Sequence, residues 1–186
     1  MCLEQKKTDR LLDPEDCLIV VIDVQEKLVP IMAENETLIQ NVGRLLKFAK
    51  ILNLPVILTE QENLGPTVRE IKELYEGEVI SKIHFSCFFS PEFDSGVERS
   101  GKKTIVLAGI ESHICVFQTA LSALDRYAVH VLVDAISSKS LLNKEIAVER
   151  MREAGCIIST TEMFIFEILK RAGTDTFRKV LPIIRY

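Results

Sequence analysis

The chain has 186 residues and a mass of 21.0 kDa, a length at which one domain is expected and a second catalytic domain has no room. Hydrophobic residues make up 47% and charged residues 27%, a globular balance that excludes an intrinsically disordered chain. Twenty-three Lys and Arg against 27 Asp and Glu leave a net charge of −4, so no basic footprint for a nucleic-acid backbone is expected.

Residues 1–14 are polar and are expected to lie loosely on the surface. The charged start MCLEQKKTDR lacks an apolar signal core, and the longest apolar run, Cys17 to Ile22, is far short of the roughly 18 residues a bilayer span needs. A soluble, unexported, cytoplasmic protein is the expectation. Five cysteines, an odd number without CxxC spacing, favour reduced thiols over a disulfide framework or a zinc cluster.

Leu18 to Ile22 reads as a first buried strand. Leu38, Val42, Leu45, Ala49 and Leu52 recur at helical spacing before Pro55 to Leu58 resumes as strand, which makes one βαβ unit. Further strands are expected at Val79 to Ile80, Thr104 to Ala108, Val129 to Val133 and Cys156 to Ser159. Ile114, Phe117, Leu121 and Leu124 mark a helix after the Thr104 strand. Asn143 is placed to cap a helix lined by Ala147, Met151 and Ala154, and Gly155 stands where a left-handed terminator belongs. Thr174 to Tyr186 reads as a last helix interrupted by Pro182 that packs on a neighbouring subunit. The alternation predicts an α/β fold: three α/β/α layers around a six-stranded, mostly parallel, Rossmann-like sheet. The apolar balance of the C-terminal half favours a homo-oligomer, a dimer or higher.

In such a sheet the ligand crevice lies outside the carboxyl ends of the strands. Five reactive or charged residues follow strand cores there: Asp23, Glu60, Lys82, Cys115 and Asp134. Position alone does not choose among them, because a carboxylate at a strand end can equally cap a helix. Ser112 is placed to cap a helix beginning at His113, which would put the Cys115 sulfur in its first turn and lower its pKa toward 7. Cys17 and Cys156 lie inside apolar strands and read as inert fillers. Cys87, among Phe85, Phe88 and Phe89, reads the same way, and Cys2 as an exposed terminal residue. Lys82 and Asp23 each follow apolar residues, and a carboxylate buried there must be paired. Lys82 is the nearest strand-end cation.

The segments LIVVIDVQEKLV around Asp23, SKIHFSCF around Lys82 and VLAGIESHICVFQTALSALDRYAVHVLVDA around Cys115 together resemble the isochorismatase-like cysteine hydrolases. LTEQENLGPTV followed by LDRYAVHVLVDAISS is similar to the short isochorismatase domain-containing branch. The resemblance runs from about residue 17 to 162 and implies that fold and a catalytic triad of Asp23, Lys82 and Cys115. It implies Asp23 as the acceptor of the thiol proton, Lys82 as the group holding the charge, and Cys115 as the nucleophile that passes through a thioester. It also implies a non-proline cis peptide at Ile110 and Glu111, turning the Glu111 and Cys115 amides toward an oxyanion.

Nicotinamidases in this family bind a metal through an aspartate and two histidines after the second strand, where this chain reads LTEQENLGP without histidine. No metal and no other cofactor are therefore expected. His84, His113 and His130 are scattered, and only His113, two residues before Cys115, is placed to line a pocket. The pocket is expected to be framed by Gln25, Gln61, Phe85, Phe88, Ile110 and His113, which would suit a small molecule with a flat or apolar group. Two other functions compete with hydrolysis of a small amide: a binding module on the same scaffold, and a redox-sensing thiol at Cys115 or Cys87.

Overall fold

A computed structural model describes residues 11–184, so Cys2, most of the N-terminal segment and the last two residues of the tail lie outside the described residues. Six strands form one sheet: β1 (Cys17–Ile22), β2 (Val56–Gln61), β3 (Val79–Lys82), β4 (Thr104–Ile110), β5 (Ala128–Ser137) and β6 (Ile157–Ser159). Their order is β3-β2-β1-β4-β5-β6 and every pairing is parallel. The chain direction across the sheet reverses between β1 and β4, which opens a crevice at their carboxyl ends.

Strand composition follows depth in the sheet. Every residue of β1 (CLIVVI) and β4 (TIVLAGI), the two central strands, is buried, because helices cover both faces. The edges are short, four residues in β3 and three in β6, which limits exposed backbone donors and acceptors. Alternate residues divide between two cores. Ile19, Val21, Leu58, Val106 and Ala108 pack with Leu45, Phe48, Phe164 and Val180 on one face. Leu18, Val20, Ile22, Ile105, Leu107, Val129 and Val131 pack with Phe93, Val97, Ala120 and Met151 on the other.

The first face carries α1 (Asn35–Leu52), α6 (Thr161–Leu169) and α7 (Asp175–Ile184); the second carries α3 (Pro91–Ser100), α4 (Phe117–Ala123) and α5 (Leu141–Ala154). A short α2 (Arg69–Lys72) follows β2. In α1 the buried Leu38, Val42, Leu45 and Ala49 keep the expected spacing, and Asn53 in a left-handed conformation ends the helix. Gly155, at φ 111°, ends α5 as expected.

Several local expectations are corrected. α5 begins at Leu141 with Ser140 in the cap position, so Asn143 lies inside the first turn. β5 runs ten residues, with a register shift between Leu107 and Gly109 of its neighbour, so Asp134 lies within the strand. Its carboxylate accepts from the Thr161 N–H (2.7 Å) and hydroxyl (3.0 Å), which makes it a cap for α6. Glu60 also lies inside its strand and accepts from the N–H and hydroxyl of Thr67 at 2.7 and 2.6 Å, pinning the loop after β2. The start of the described chain is not loose: Leu12 is buried and its N–H donates to Glu167 at 3.0 Å. The tail helix docks within its own chain, with Val180 buried in the α1 core, and α7 continues past Pro182 to Ile184.

Candidate active site

Asp23 is the first residue beyond β1 and sits in a left-handed conformation, φ 53°. Its N–H donates to the Thr59 carbonyl at 3.1 Å, so the β1–β2 ladder persists one residue past the strand and turns the carboxylate inward. Lys82 ends β3 in register beside Gln61, with Ile80 beside Thr59. The period of two therefore puts Thr59, Gln61 and Lys82 on one face of the sheet. Lys82 Nζ reaches Asp23 Oδ2 at 2.6 Å, with neither side chain exposed, Gln61 Oε1 at 2.8 Å and Cys115 Sγ at 3.7 Å. Three acceptors meet the three protons of one ammonium group. The other oxygen of Asp23 accepts the Thr59 hydroxyl at 2.8 Å.

Cys115 arrives from β4. Gly109, at φ 115°, crosses so close to β1 that a Cβ would run into the Ile22 backbone, which restricts this position to glycine. The peptide between Ile110 and Glu111 is cis. The chain then enters a π-helical turn, Ser112–Val116, continuous with α4. Glu111 holds the cap position and no side chain caps the turn, so the capping role expected for Ser112 is not observed; its hydroxyl is buried without a partner. The Glu111 carbonyl accepts from the N–H of both Ile114 (3.0 Å) and Val116 (3.2 Å).

The electrostatics differ from the sequence expectation of a lowered thiol pKa. Burial, then the Asp23 charge, push the Cys115 thiol well above its ordinary value, and Lys82 only partly offsets them. The thiol is therefore protonated at rest beside a carboxylate. Burial acts to lower the Lys82 pKa, but the Asp23 charge beside it acts the other way, and the net direction is up.

The structure commits both expected pocket amides to internal bonds. Gln25 is fully buried, donating to the carbonyls of Gln61 (2.9 Å) and Gly65 (2.6 Å) and accepting from Gln61 N–H (2.9 Å). Gln61 Nε2 donates to the Ile83 carbonyl at 2.8 Å, which leaves its oxygen aimed at Lys82. Gln61 thus holds the lysine and Gln25 holds the Gln61 backbone. Phe88 meets Phe93 edge to face, stacks on Tyr127 and lies under the Arg126 guanidinium. Tyr127 precedes β5, so the Phe88 ring is drawn toward the amino end of that strand, away from the crevice. Phe85 is 53% exposed on the loop leaving Lys82, and Ile110 is fully buried.

The remaining histidines and cysteines separate by environment. His113 Nδ1 lies 3.0 Å from Ser138 Oγ, and its Nε2 lies 3.5 Å from Asn143 Nδ2, so the ring ties the π-helical turn to the loop before α5 and to the first turn of that helix. His84 lies edge-on to Phe89, and His130 is buried in β5 with Nδ1 unpartnered. Cys17, Cys87, Cys115 and Cys156 are all buried and free. Burial raises the first to about 12 and Cys87 and Cys156 to about 11. Among the described residues no three His, Cys, Asp or Glu side chains gather to hold a metal ion. Sequence reasoning missed Thr59 and the lysine-holding role of Gln61. The signal was present in the alternation along β2, which sets both residues on the face of Lys82.

Comparison with known proteins agrees with this architecture. The isochorismatase domain matches residues 17–163. A secreted isochorismatase effector of Phytophthora sojae is 35% identical over 97% of this chain and 89% of its own length. Among solved structures, a protein described as the MAR1 ribonuclease of Caenorhabditis elegans superposes with a TM-score of 0.87 at 32% identity, covering 94% of this chain and 92% of its own. YcaC of Pseudomonas aeruginosa, described with covalent acrylamide, gives 0.88 at 26% identity, covering 96% and 93%. YcaC of Escherichia coli, described as an octameric hydrolase of unknown specificity, gives 0.86 at 27% identity, covering 95% and 94%. With its sheet order, the turn carrying Cys115 and these likenesses taken together, the chain belongs to the isochorismatase family and has the fold of its cysteine hydrolases.

Proposed function

We propose that the chain is a metal-independent cysteine hydrolase that cleaves a small amide or related C–N bond through a thioester on Cys115. One observation carries this reading: a fully buried Asp–Lys pair is built against the Cys115 sulfur at the carboxyl end of the sheet. A buried ion pair contributes little net stability, so its placement beside a sulfur needs a reason other than folding.

The chemistry follows from the resting protonation. As the Cys115 sulfur attacks the carbonyl carbon, its proton passes to Asp23, and Lys82, 3.7 Å from the sulfur, stabilises the charge that develops there. The Cys115 N–H, together with that of Glu111, is the candidate donor to the oxyanion. One such donor is worth about 3 kcal/mol of barrier. The C–N bond breaks, the amine leaves with the proton Asp23 had taken, and the acyl group stays on sulfur. Water then gives a proton to Asp23 and attacks the thioester, and Cys115 recovers that proton as the acid departs. The balance is amide plus water to acid plus amine.

The metal used by nicotinamidases does not fit the residues present. The segment after β2 holds no histidine, and among the described residues no three His, Cys, Asp or Glu side chains gather there or elsewhere to hold the ion. We also propose a homo-oligomer. Ile83, Phe85 and Phe89 after β3, and Leu141, Leu142 and Ile146 on α5, expose large apolar side chains, and the E. coli relative is described as an octamer. A reducing, cytoplasmic setting belongs to the same proposal and is supported by the four free buried cysteines. No helix among the described residues is long and apolar enough to cross a membrane.

RNA is a second substrate class, favoured only by the description of the C. elegans relative; the net charge of −4 counts against a polyanion. A panel of small amides, ureides, carbamoyl compounds and a short RNA, run against wild type and Cys115→Ala, tests the reading. Turnover of a C–N substrate by the first and silence from the second is expected. Equal turnover by both, or turnover of the RNA alone, would overturn it.

A further inference from the structure

The mechanism above leaves one buried nucleophile unused. Cys87 is fully buried in the turn after β3, its N–H donates to Thr119 Oγ1 at 3.0 Å, and its sulfur lies 3.9 Å from Thr59 Oγ1. The neighbouring Ser86 hydroxyl donates to Ser122 Oγ at 2.9 Å, so the turn is fastened to α4 at two points. Thr59, itself buried, donates to Asp23 Oδ1 at 2.8 Å. A file of side chains thus runs Cys87, Thr59, Asp23, Lys82, Cys115.

We propose that Thr59, backed by Cys87, is a positioning residue that holds Asp23 Oδ1 and so fixes the carboxylate that takes the Cys115 proton. The inference deepens the hydrolase reading and rests on it. A hydroxyl carries one proton, and beside an ionised carboxylate, which only accepts, that proton must point at Asp23. The Thr59 lone pairs then face Cys87, whose S–H fills one of them. Burial keeps Cys87 a thiol to about pH 11, so the direction of the file does not reverse in the working range. Lys82 holds Oδ2 and lies beside the sulfur, so Thr59 on one oxygen and Lys82 on the other fix the plane of the carboxylate beside Cys115. The titratable groups facing Asp23 are Lys82 from β3, Cys115 from the π-helical turn and Cys87 from the turn after β3. Glu60, next to Thr59 on β2, points to the other face and is held by Thr67.

The test needs no substrate. The rate of Cys115 alkylation by iodoacetamide, read by peptide mapping, is followed against pH in the whole protein. Protonation of Asp23 removes the acceptor for the thiol proton, so the rate has an acid limb whose apparent midpoint reports the coupled group. Loss of a hydrogen bond to an ionised carboxylate raises that midpoint, so Thr59→Val is expected to move it up by about one pH unit with little change in the plateau. Thr59→Ser should restore it, and Cys87→Ala should move it by less in the same direction. Should the valine variant not fold, Thr59→Ala carries the same expectation. An unmoved midpoint in a folded Thr59→Val or Thr59→Ala protein overturns the proposal, as does failure of serine to restore it. An acid limb unchanged in Asp23→Asn would instead overturn the hydrolase reading on which the proposal rests.

Discussion

Lys82 Nζ stands 2.6 Å from Asp23 Oδ2 across 59 residues of sequence, and neither side chain is exposed to solvent. The pair closes two strands' ends around one sulfur, and its energetics give the first prediction. Asp23→Asn leaves a buried ammonium group without its counter-charge and should cost about 3–5 kcal/mol in urea unfolding. Asp23→Asn combined with Lys82→Met removes both charges and should recover much of that loss without recovering activity. If the double variant were less stable than the single one, the pair would be a stabilising element and not a functional one.

A second prediction concerns alkaline pH. The thiols of Cys17, Cys87 and Cys156 ionise near 9 when unfolded but are held to about 12, 11 and 11 in the fold, and Cys115 is raised as well. A raised pKa means the native state keeps protons the unfolded chain releases. The stability is whole below about pH 9 and is lost as pH rises through the native values. Each thiol contributes a slope of about 1.4 kcal/mol per pH unit in that window. Urea midpoints under reducing conditions should fall from about pH 8 to about pH 10.5, and less steeply in Cys156→Ala. An equal fall in the variant would remove the thiols from the explanation.

Gly109→Ala forces a Cβ into the Ile22 backbone at φ 115°. We expect a loss of more than about 2 kcal/mol and of turnover together, because the same close approach of β4 to β1 sets where Cys115 emerges. Thermal unfolding and activity, measured on one preparation, check both.

Phe88→Leu separates packing from recognition. The ring lies among Phe93, Tyr127 and Arg126, so its loss should lower stability by about 1–2 kcal/mol while kcat and KM hold. A changed KM would return Phe88 to the substrate pocket.

Much of this arrangement was legible in the sequence because it rests on short-range regularity. The apolar runs CLIVVI and TIVLAGI are strands buried on both faces, and Leu38, Val42, Leu45 and Ala49 mark α1 by period alone. Asp23, Lys82 and Cys115 could be singled out as polar residues closing such runs, and the structure brings them together. What was not legible depends on tertiary partners. The Cys115 thiol was expected to be acidic from its helix turn, yet burial and Asp23 dominate it. Gln25 and Gln61 carry the polarity of a binding site, but the loop returning through Gly65 engages the first, and Ile83 and Lys82 engage the second. Asparagine favours a cap position, which points to Asn143, whereas Ser140 holds that place and Asn143 faces His113. α3 buries only Phe93 and Val97, too few to mark a period, whereas α6 carries a helical spacing in Thr161, Phe164, Ile165 and Ile168 that the reading omits.

The central claim is that the acyl group passes through the Cys115 sulfur. Intact-mass measurement during turnover of an amide found in the panel tests it most directly, with quenching in acid and peptide mapping. The account predicts one acyl adduct, on the peptide carrying Cys115, removed by hydroxylamine and missing from Cys115→Ala. Undiminished turnover by Cys115→Ala, or an adduct on Cys87 in its place, would contradict it.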